Sequence, residues 1–199
     1  MSFYDIGKKI VKTVFTPFFR IEVRFEEDFP RDRGVILACN HVSDLDPIIL
    51  GIACPVQIHY MAKQELFRVP VLGFIIKKLE AFPVARGKGD TGAVNRAAEI
   101  VRAGGVLGIF PEGGRSRDGK FHKVKSGTAV IASQTGADIV PAGITYEKCR
   151  WFRRRIVHVR LGKVIKNAEL NVGEKTKTEL RAANELLAGR IAGLLEETP

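Results

Sequence analysis

The sequence is short of the residues that build disulfide frameworks and metal centres. Its 199 residues include three cysteines, an odd number, and these are widely spaced with no Cys-x-x-Cys pair: Cys39, Cys54 and Cys149. The four histidines also lack the spacing of metal ligands. We therefore expect reduced cysteines in a cytosolic protein, no structural disulfide and no metal site.

Long apolar runs are absent too. The longest stretch without a charged residue, residues 47–62, is interrupted by Gly51 and Pro55, and a bilayer-spanning helix needs about 20 apolar residues. We also expect no signal peptide, because no cleavage site follows an apolar block near the N-terminus. The chain shows no repeat, low-complexity segment or linker, and its length suits one sizeable domain with its own core.

Negative charge is scarce relative to positive charge. Asp and Glu number 22 against 32 Lys and Arg, which gives a formal net charge of +10. Such an excess suits an anionic partner: a membrane surface, a nucleic acid, or a phosphorylated or acidic ligand. Charge alone does not separate these partners from a basic surface that is merely solvated.

The first residues have the pattern of an amphipathic helix. Between residues 3 and 19 apolar side chains recur at spacings of three or four, and Lys8, Lys9 and Lys12 fall mainly on the other side. Pro17 should end or kink this helix. Two interpretations stay open, a terminal helix packed on the protein's own core and a helix lying in a membrane interface, and we favour the second.

The rest of the chain alternates short apolar strands with helices. Strands are predicted at residues 35–39, 57–62, 79–85, 106–110, 138–144 and 156–162. Helices are predicted from the cap Asp90 to Gly104, from about residue 126 to 135, and from the capping box Thr176-x-x-Glu179 onwards. This alternation predicts an α/β fold: a single domain with a largely parallel or mixed sheet flanked by helices, preceded by the N-terminal helix.

The segment NHVSDLDP, residues 40–47, ends the first of these strands with a polar loop. His41 can take a proton near neutral pH without a large pKa shift. Asp46 could hold the N–H of the other ring nitrogen and stabilise the imidazolium. A structural interpretation competes, because Asp followed by Pro47 is a typical helix start with Asp46 or a neighbour as the N-cap.

No enzyme nucleophile accompanies this pair. The sequence has no G-x-S-x-G elbow, and no cysteine lies beside an activating residue. A base without its own nucleophile indicates that the substrate brings the attacking hydroxyl, or that water attacks. The chemistry would then be direct general-base catalysis without a covalent intermediate.

Two further polar loops follow predicted strands. FPEGGRSRDG, residues 110–119, combines glycines that admit an anion with arginines that bind phosphate bidentately. Its G-x-x-x-x-G-K run resembles a P-loop, but Phe121 stands where the Mg²⁺-binding Ser or Thr belongs, so a nucleotide hydrolase is disfavoured. In FPVARGKGD, residues 82–90, Arg86 is either a second phosphate ligand or part of a solvated turn.

Together, four motifs resemble the glycerolipid acyltransferase family, of the bacterial 1-acylglycerol-3-phosphate type. NHVSDLD resembles the family's N-H-x-x-x-x-D motif, AFPVAR its second motif, FPEGGRS its third (usually F-P-E-G-T-R-S), and IVPAGI its fourth. The resemblance covers about residues 30–165, including the connecting AKQELFRVPVLGFIIKKLE. Four motifs in this order are specific, whereas any one of them alone would be weak.

The resemblance implies a role for each matching residue. His41 would be the general base for the acceptor hydroxyl, and Asp46 would orient it. Pro141 would line the acyl-donor side. The acceptor site would be shaped by Glu112, Gly113 and Arg115. Arg86 would help to hold the acceptor phosphate. No metal, cofactor or acyl-enzyme is implied.

The implied activity is transfer of a fatty acyl group from an acyl thioester to the free hydroxyl of lysophosphatidic acid, which gives phosphatidic acid. The donor would be acyl-CoA or acyl carrier protein. Gly114 replaces the usual Thr of the third motif, and Glu80 replaces a common Gly before the second. Neither departure touches His41 or Asp46, but both concern the acceptor pocket and the choice of head group.

Other functions stay open. A non-catalytic peripheral membrane protein with this fold would be favoured if His41 or Asp46 were missing, and both are present. The run KCRWFRRRIVHVR, residues 148–160, could bind nucleic-acid phosphates and stack bases, but it suits a lipid headgroup layer or a basic strand edge equally well. No RNA- or DNA-binding motif accompanies it, so no nucleic acid is expected.

These expectations place the protein at the cytoplasmic face of the cell membrane, as a peripheral or monotopic protein. Its partners would be an anionic membrane surface, lysophosphatidic acid or another lysolipid, and acyl-CoA or acyl carrier protein. We assign residues 1–25 to an N-terminal amphipathic membrane-interface helix and residues 26–199 to the acyltransferase domain.

Overall fold

The computed structural model describes residues 3–70, 72–84, 90–147 and 154–196. Within them, one seven-stranded sheet has the strand order β1-β7-β6-β2-β5-β3-β4. The strands are β1 (Phe19–Phe25), β2 (Val35–Cys39), β3 (Ile58–Lys63), β4 (Phe82–Val84), β5 (Val106–Ile109), β6 (Ile139–Tyr146) and β7 (Arg155–Leu161).

Neighbouring strands are parallel throughout this sheet except for β6 and β7, which run antiparallel. The five strands from β4 to β6 in the sheet therefore share one direction, and β7 and β1 run the opposite way. The predicted α/β fold with a mixed sheet is confirmed.

Helices cover both faces of the sheet. They are α1 (Phe3–Phe15), α2 (Asp46–Ala53), α3 (Leu72–Lys78), α4 (Thr91–Arg102), α5 (Gly127–Thr135), α6 (Asn167–Leu170) and α7 (Lys177–Glu196), with a 3₁₀ helix at Gln64–Arg68. Apolar side chains of α4, α5 and α7 form one core cluster with Ile36 and Ala38 of β2. Those of α2 form another with Val35 and Leu37. Because β2 is covered on both faces, all five of its residues are buried, which explains its unbroken apolar sequence.

The predicted cap of α4 and the predicted bounds of α5 are confirmed. Asp90 caps α4 by accepting a hydrogen bond from the Ala93 N–H at 3.0 Å, and α5 ends at Thr135, before Gly136, whose φ is +68°. At the start of α7, Thr176 Oγ1 accepts from the Glu179 N–H at 3.2 Å. The reciprocal bond of a capping box is replaced, because the Glu179 carboxylate accepts from the Glu174 N–H instead.

The N-terminal segment differs from the prediction. The helix stops at Phe15 rather than residue 19, since Pro17 has no N–H to continue it. Residues 19–25, which we placed in the helical segment, form β1 and pair in parallel with β7. The sheet therefore begins inside the segment that we had assigned to the N-terminal helix.

The stretch before β4 also differs from the sequence prediction. The predicted strand at 79–85 shrinks to Phe82–Val84, because α3 precedes it and Glu80 turns the chain with a positive φ of 60°. Neither α3 nor the 3₁₀ helix was predicted. Residues 85–89, which include Arg86, lie outside the described residues.

This topology gathers the loops that carry the motifs. The carboxyl ends of parallel strands meet at one edge of a sheet, so the loops after β2 and β5 and the end of β6 lie together. Among the described helices, none is both long enough and apolar enough to cross a membrane.

Candidate active site

The end of β2 is fixed to β6 by a buried asparagine. The side-chain amide of Asn40 donates to the Ile144 carbonyl at 3.0 Å, and its oxygen accepts from the Ile144 N–H at 2.7 Å. The Asn40 side chain thus takes the place of a main-chain partner and extends the pairing of β2 with β6 beyond the end of β2. The next residue, His41, leaves the sheet at a defined point.

His41 and Asp46 are brought together as predicted. His41 Nδ1 lies 2.9 Å from Asp46 Oδ2, and the same oxygen accepts from the N–H groups of Val42 and Ser43, each at 2.7 Å. A carboxylate oxygen already holding two donors serves as an acceptor for the ring, so Nδ1 carries the proton and Nε2 carries the lone pair. Nε2 is the atom that can act as a base.

The competing interpretation of Asp46 as a helix cap is wrong. The N-cap of α2 is Leu45, no side chain caps this helix, and Asp46 is its first residue. The Asp46 carboxylate folds back onto the loop that carries His41 and is fully buried. Pro47, near the start of α2, has the fixed φ that helix initiation favours.

Aromatic rings support the imidazole from one side. The ring of Phe110, which follows β5, stacks on His41 with centroids 4.2 Å apart and planes 23° apart. Tyr60 of β3 stacks on Phe110 in turn at 6.2 Å. This wall keeps the His41 ring in one plane and leaves its side chain only 11% exposed.

Glu112 lies behind the base. One of its carboxylate oxygens accepts from the His41 N–H at 2.9 Å, and the other accepts from the His122 N–H at 2.9 Å. The side chain is buried. Both oxygens thus accept hydrogen bonds from main-chain N–H groups. Glu112 thereby connects the loop after β2 to the loop after β5.

Gly113 is required by both its backbone and its surroundings. Its φ is +73°, and a Cβ built there would lie 2.6 Å from Lys125 Nζ. The ammonium of Lys125 therefore rests directly over this glycine. Lys125 was not singled out from the sequence, because no motif distinguishes it from the other lysines of the chain.

Arg115 forms an ion pair with Asp44 of the neighbouring loop. Both side chains are well exposed, so the pair contributes at most about 1 kcal/mol to stability. Arg115 can therefore exchange Asp44 for another anion at little energetic cost.

Side chains of the loop after β5 also hydrogen-bond to one another. Asp118 Oδ1 accepts from the Ser116 hydroxyl at 2.7 Å and lies 2.8 Å from His122 Nε2. The hydrogen bond from Ser116 is the main cause that lowers the pKa of Asp118 below its usual value. These bonds hold the conformation of the loop whose G-x-x-x-x-G-K run resembles a P-loop, and they involve only side chains of the loop itself.

Two remaining site predictions have different outcomes. Pro141 is a buried residue inside β6, in register with Ala38 of β2. Its place on the acyl-donor side stays a prediction. Arg86 falls outside the described residues.

The described cysteines offer no nucleophile beside the base. Cys39 and Cys54 are free and buried. Burial raises the pKa of the Cys39 thiol well above its usual value and that of Cys54 to about 11, so both stay protonated near neutral pH. Among the described residues, no group of three or more His, Cys, Asp or Glu is placed to hold a metal.

Tyr146 is a residue of the site that sequence reasoning missed. Its hydroxyl donates to the second oxygen of Asp46 over 2.5 Å. No local signal could have revealed it, because the two residues are 100 positions apart in the sequence.

The chain is similar in sequence to curated acyltransferases. The chain is 37% identical over 123 residues to a 1-acyl-sn-glycerol-3-phosphate acyltransferase of Bacillus subtilis, covering 61% of each chain. It is 32% identical over 142 residues to the enzyme of that name in Borreliella burgdorferi, covering 69% of this chain and 56% of the relative. The matches thus span about six tenths of these relatives' length.

A solved structure shares the fold. The PlsC 1-acyl-sn-glycerophosphate acyltransferase of Thermotoga maritima superposes with a TM-score of 0.75 at 25% identity, covering 98% of this chain and 80% of that one. The family model described as Acyltransferase matches residues 20–145, which include both His41 and Asp46. The chain belongs to the acyltransferase family.

Proposed function

We propose that the protein transfers a fatty acyl group from an acyl thioester to the free hydroxyl of lysophosphatidic acid, forming phosphatidic acid. The observation that carries this proposal is the His41–Asp46 pair, whose hydrogen bond leaves Nε2 as the proton acceptor. The B. subtilis and B. burgdorferi relatives carry the name of this activity.

The proposed mechanism is direct transfer. His41 Nε2 takes the proton of the acceptor hydroxyl as its oxygen attacks the thioester carbonyl, and Asp46 stabilises the imidazolium. The new C–O bond forms, the C–S bond breaks, and the imidazolium returns its proton to the departing thiolate. The buried, protonated Cys39 supports a path without an acyl-enzyme.

The acceptor's phosphate is assigned to cations beside this pair. Arg115 lies next to the base loop, where its guanidinium can pair with two phosphate oxygens, and Arg86 is proposed to assist it. Gly113 shapes the floor of this site, and Glu112 holds its loop against the main chain of His41. Pro141 is proposed to lie towards the acyl donor.

The acyl donor is proposed to be acyl-CoA or acyl carrier protein, with no further cofactor. Both are anionic, and the net charge of +10 favours either of them. Parallel assays with the two donors distinguish them.

The N-terminal helix is proposed to bind the membrane from the cytoplasmic side, as a peripheral or monotopic contact. α1 leaves an apolar strip exposed to solvent, made of Ile6, Ile10 and Val14, and Phe18 just beyond the helix is 66% exposed. Lys8 turns inward and donates to the Cys54 carbonyl, whereas Lys9 and Lys12 are exposed. An apolar strip with nearby lysines suits an anionic bilayer surface.

A second candidate acceptor is another lysolipid. The chain is also 30% identical over 128 residues to a protein of Pseudomonas aeruginosa named lyso-ornithine lipid O-acyltransferase, covering 64% of this chain and 48% of that one. The same base would serve either acceptor, because both reactions acylate a hydroxyl.

The experiment is an acyl-transfer assay of the purified protein, with lysophosphatidic acid and lyso-ornithine lipid as acceptors and each donor in parallel. We expect phosphatidic acid as the main product. Preference for lyso-ornithine lipid would assign the second candidate, and no transfer to any acceptor would favour a non-catalytic membrane protein.

A further inference from the structure

The two carboxylate oxygens of Asp46 have different hydrogen-bond partners. Oδ2 accepts from His41 and from two main-chain N–H groups. Oδ1 points the other way and accepts from the hydroxyl of Tyr146, the last residue of β6, at 2.5 Å. Asp46 is fully buried, so solvent does not compete for Oδ1.

We propose that Tyr146 is a positioning residue for the acyl transfer: its hydroxyl fixes the orientation of the Asp46 carboxylate, and through it the ring of His41. This inference rests on the function proposed for the His41–Asp46 pair. None of the four sequence motifs includes Tyr146.

The physical argument starts from the freedom of the carboxylate. The group can turn about its Cβ–Cγ bond, because that torsion is broad rather than confined to narrow wells. A donor on Oδ1 opposes this rotation and keeps Oδ2 at 2.9 Å from His41 Nδ1. Without Tyr146, Oδ1 would be buried and lack this donor, so the carboxylate would gain by turning towards another one.

Tyr146 is itself held in place. Its hydroxyl bonds one oxygen of Asp46, whose other oxygen holds the loop after β2 through the N–H groups of Val42 and Ser43. The guanidinium of Arg155 on β7 lies over the phenol ring, 5.0 Å from its centroid. The tyrosine therefore connects the base loop to two strands of the sheet.

The phenol also stays a donor over the working pH range. Burial, and then the hydrogen bond to the Asp46 carboxylate, raise the pKa of Tyr146 far above its usual value. The proton therefore remains on the phenol and points at Asp46.

A positioning role has a kinetic signature that a purely structural role lacks. The Tyr146 hydroxyl bonds Asp46, and the proposed proton transfer uses His41 Nε2 and the acceptor hydroxyl. Loss of the Tyr146 hydroxyl should therefore lower kcat and leave the KM for lysophosphatidic acid unchanged. A hydrogen bond to a charged group of this kind corresponds to roughly a tenfold change in rate.

The chain provides a matched control on the same strand. Thr145, the residue before Tyr146 on β6, has a buried hydroxyl with no hydrogen-bond partner among the described residues. Tyr146→Phe and Thr145→Val thus each remove one hydroxyl from neighbouring positions. We expect about a tenfold lower kcat for Tyr146→Phe, an unchanged KM for both, and a kcat within twofold of wild type for Thr145→Val.

A double-mutant cycle tests whether Tyr146 acts through Asp46. In an Asp46→Asn background, Tyr146→Phe should reduce kcat by less than twofold, because the residue that it positions is already altered. A full tenfold loss in that background would overturn the inference. So would a wild-type kcat of the single variant, or a Tyr146→Phe protein that is unfolded at the assay temperature, since the tyrosine would then serve the fold.

A readout without substrate separates this inference from the proposed function. We expect the His41 Nδ1–H proton to give a downfield NMR resonance that survives in Thr145→Val and broadens or shifts in Tyr146→Phe. An unchanged resonance in Tyr146→Phe would overturn the inference even if lysophosphatidic acid proves to be the acceptor. Absence of acyl transfer by the wild type, with the resonance behaving as expected, would contradict only the proposed function.

Discussion

Three neighbours hold His41 in its position. Asp46 accepts its ring N–H at 2.9 Å, Phe110 stacks on its ring at 4.2 Å, and Glu112 accepts its main-chain N–H at 2.9 Å. Each contact restricts a different movement of the residue. In the proposed mechanism, a base fixed in this way would need little reorganisation when the acceptor hydroxyl arrives.

Glu112→Gln tests the main-chain contact. The substitution keeps the size of the side chain but turns one acceptor into an NH₂ group that faces the N–H of His41 or His122. Such a buried mismatch costs about 1–3 kcal/mol, and we expect a lower melting temperature together with a lower kcat. Thermal unfolding and steady-state acyl transfer measure the two effects.

The matched control is Glu196→Gln at the exposed end of α7. It removes the same charge from a solvent-exposed side chain and should change neither stability nor rate. Equal behaviour of the two variants would show that Glu112 does not hold the base.

At the scale of elements, the site is a junction between two loops. The Ser116 N–H donates to the His41 carbonyl at 2.7 Å, and Arg115 pairs with Asp44 across the same gap. The loop after β5 therefore stabilises the loop after β2. The same contact places Arg115 beside the base, where an acceptor phosphate would arrive.

Arg115→Ala tests that placement. If Arg115 binds the acceptor phosphate, kcat/KM for lysophosphatidic acid should fall by roughly 10- to 100-fold, the value of a charge-assisted contact. The loss should be much smaller for monoacylglycerol, which has no phosphate. Arg117→Ala, another exposed arginine of this loop, is the control, and an equal loss for both acceptors with Arg115→Ala would assign Arg115 a structural role.

The exposed strip of α1 gives a prediction for membrane binding. Replacing Ile10 and Val14 with serine should weaken co-sedimentation with anionic vesicles about tenfold, since each side chain loses apolar area that the bilayer would bury. Folding should be unaffected, because both side chains are more than half exposed.

Val23→Ser is the control for that experiment, because Val23 is an exposed valine on β1 instead of α1. It should leave vesicle binding unchanged. Substitution is preferable to deleting residues 1–20, which would also remove the first residues of β1. Unaltered binding by the α1 variant would favour a helix that serves only to pack on the protein.

Local sequence patterns predicted much of the fold, and the reason is visible in particular elements. β2 is a continuous apolar run because both its faces are covered, and α4 carries its cap in the residue before it. β1 was missed although its alternating apolar and charged residues have the period of a strand, because the N-terminal helix was assigned bounds that ran over it. The His41–Asp46 pair lies within five residues and was predictable, whereas Tyr146 and the main-chain contacts of Glu112 depend on tertiary structure.

For the whole molecule, parallel strand direction is what assembles the site. β2 and β5 lie side by side and β6 flanks β2, so three distant parts of the sequence end at one edge of the sheet. Helices on both faces bury the strands. The net charge of +10 would favour approach of the proposed anionic donor or bilayer to this assembly.

The central claim is that His41 is the general base of a direct acyl transfer. The measurement that tests it is the steady-state rate of phosphatidic acid formation from lysophosphatidic acid and an acyl thioester, by the wild type and by His41→Ala of unchanged melting temperature. Our account predicts a loss of about 10²–10⁴-fold in kcat, the usual contribution of a positioned base. A folded His41→Ala protein with a rate within a few-fold of wild type would contradict it.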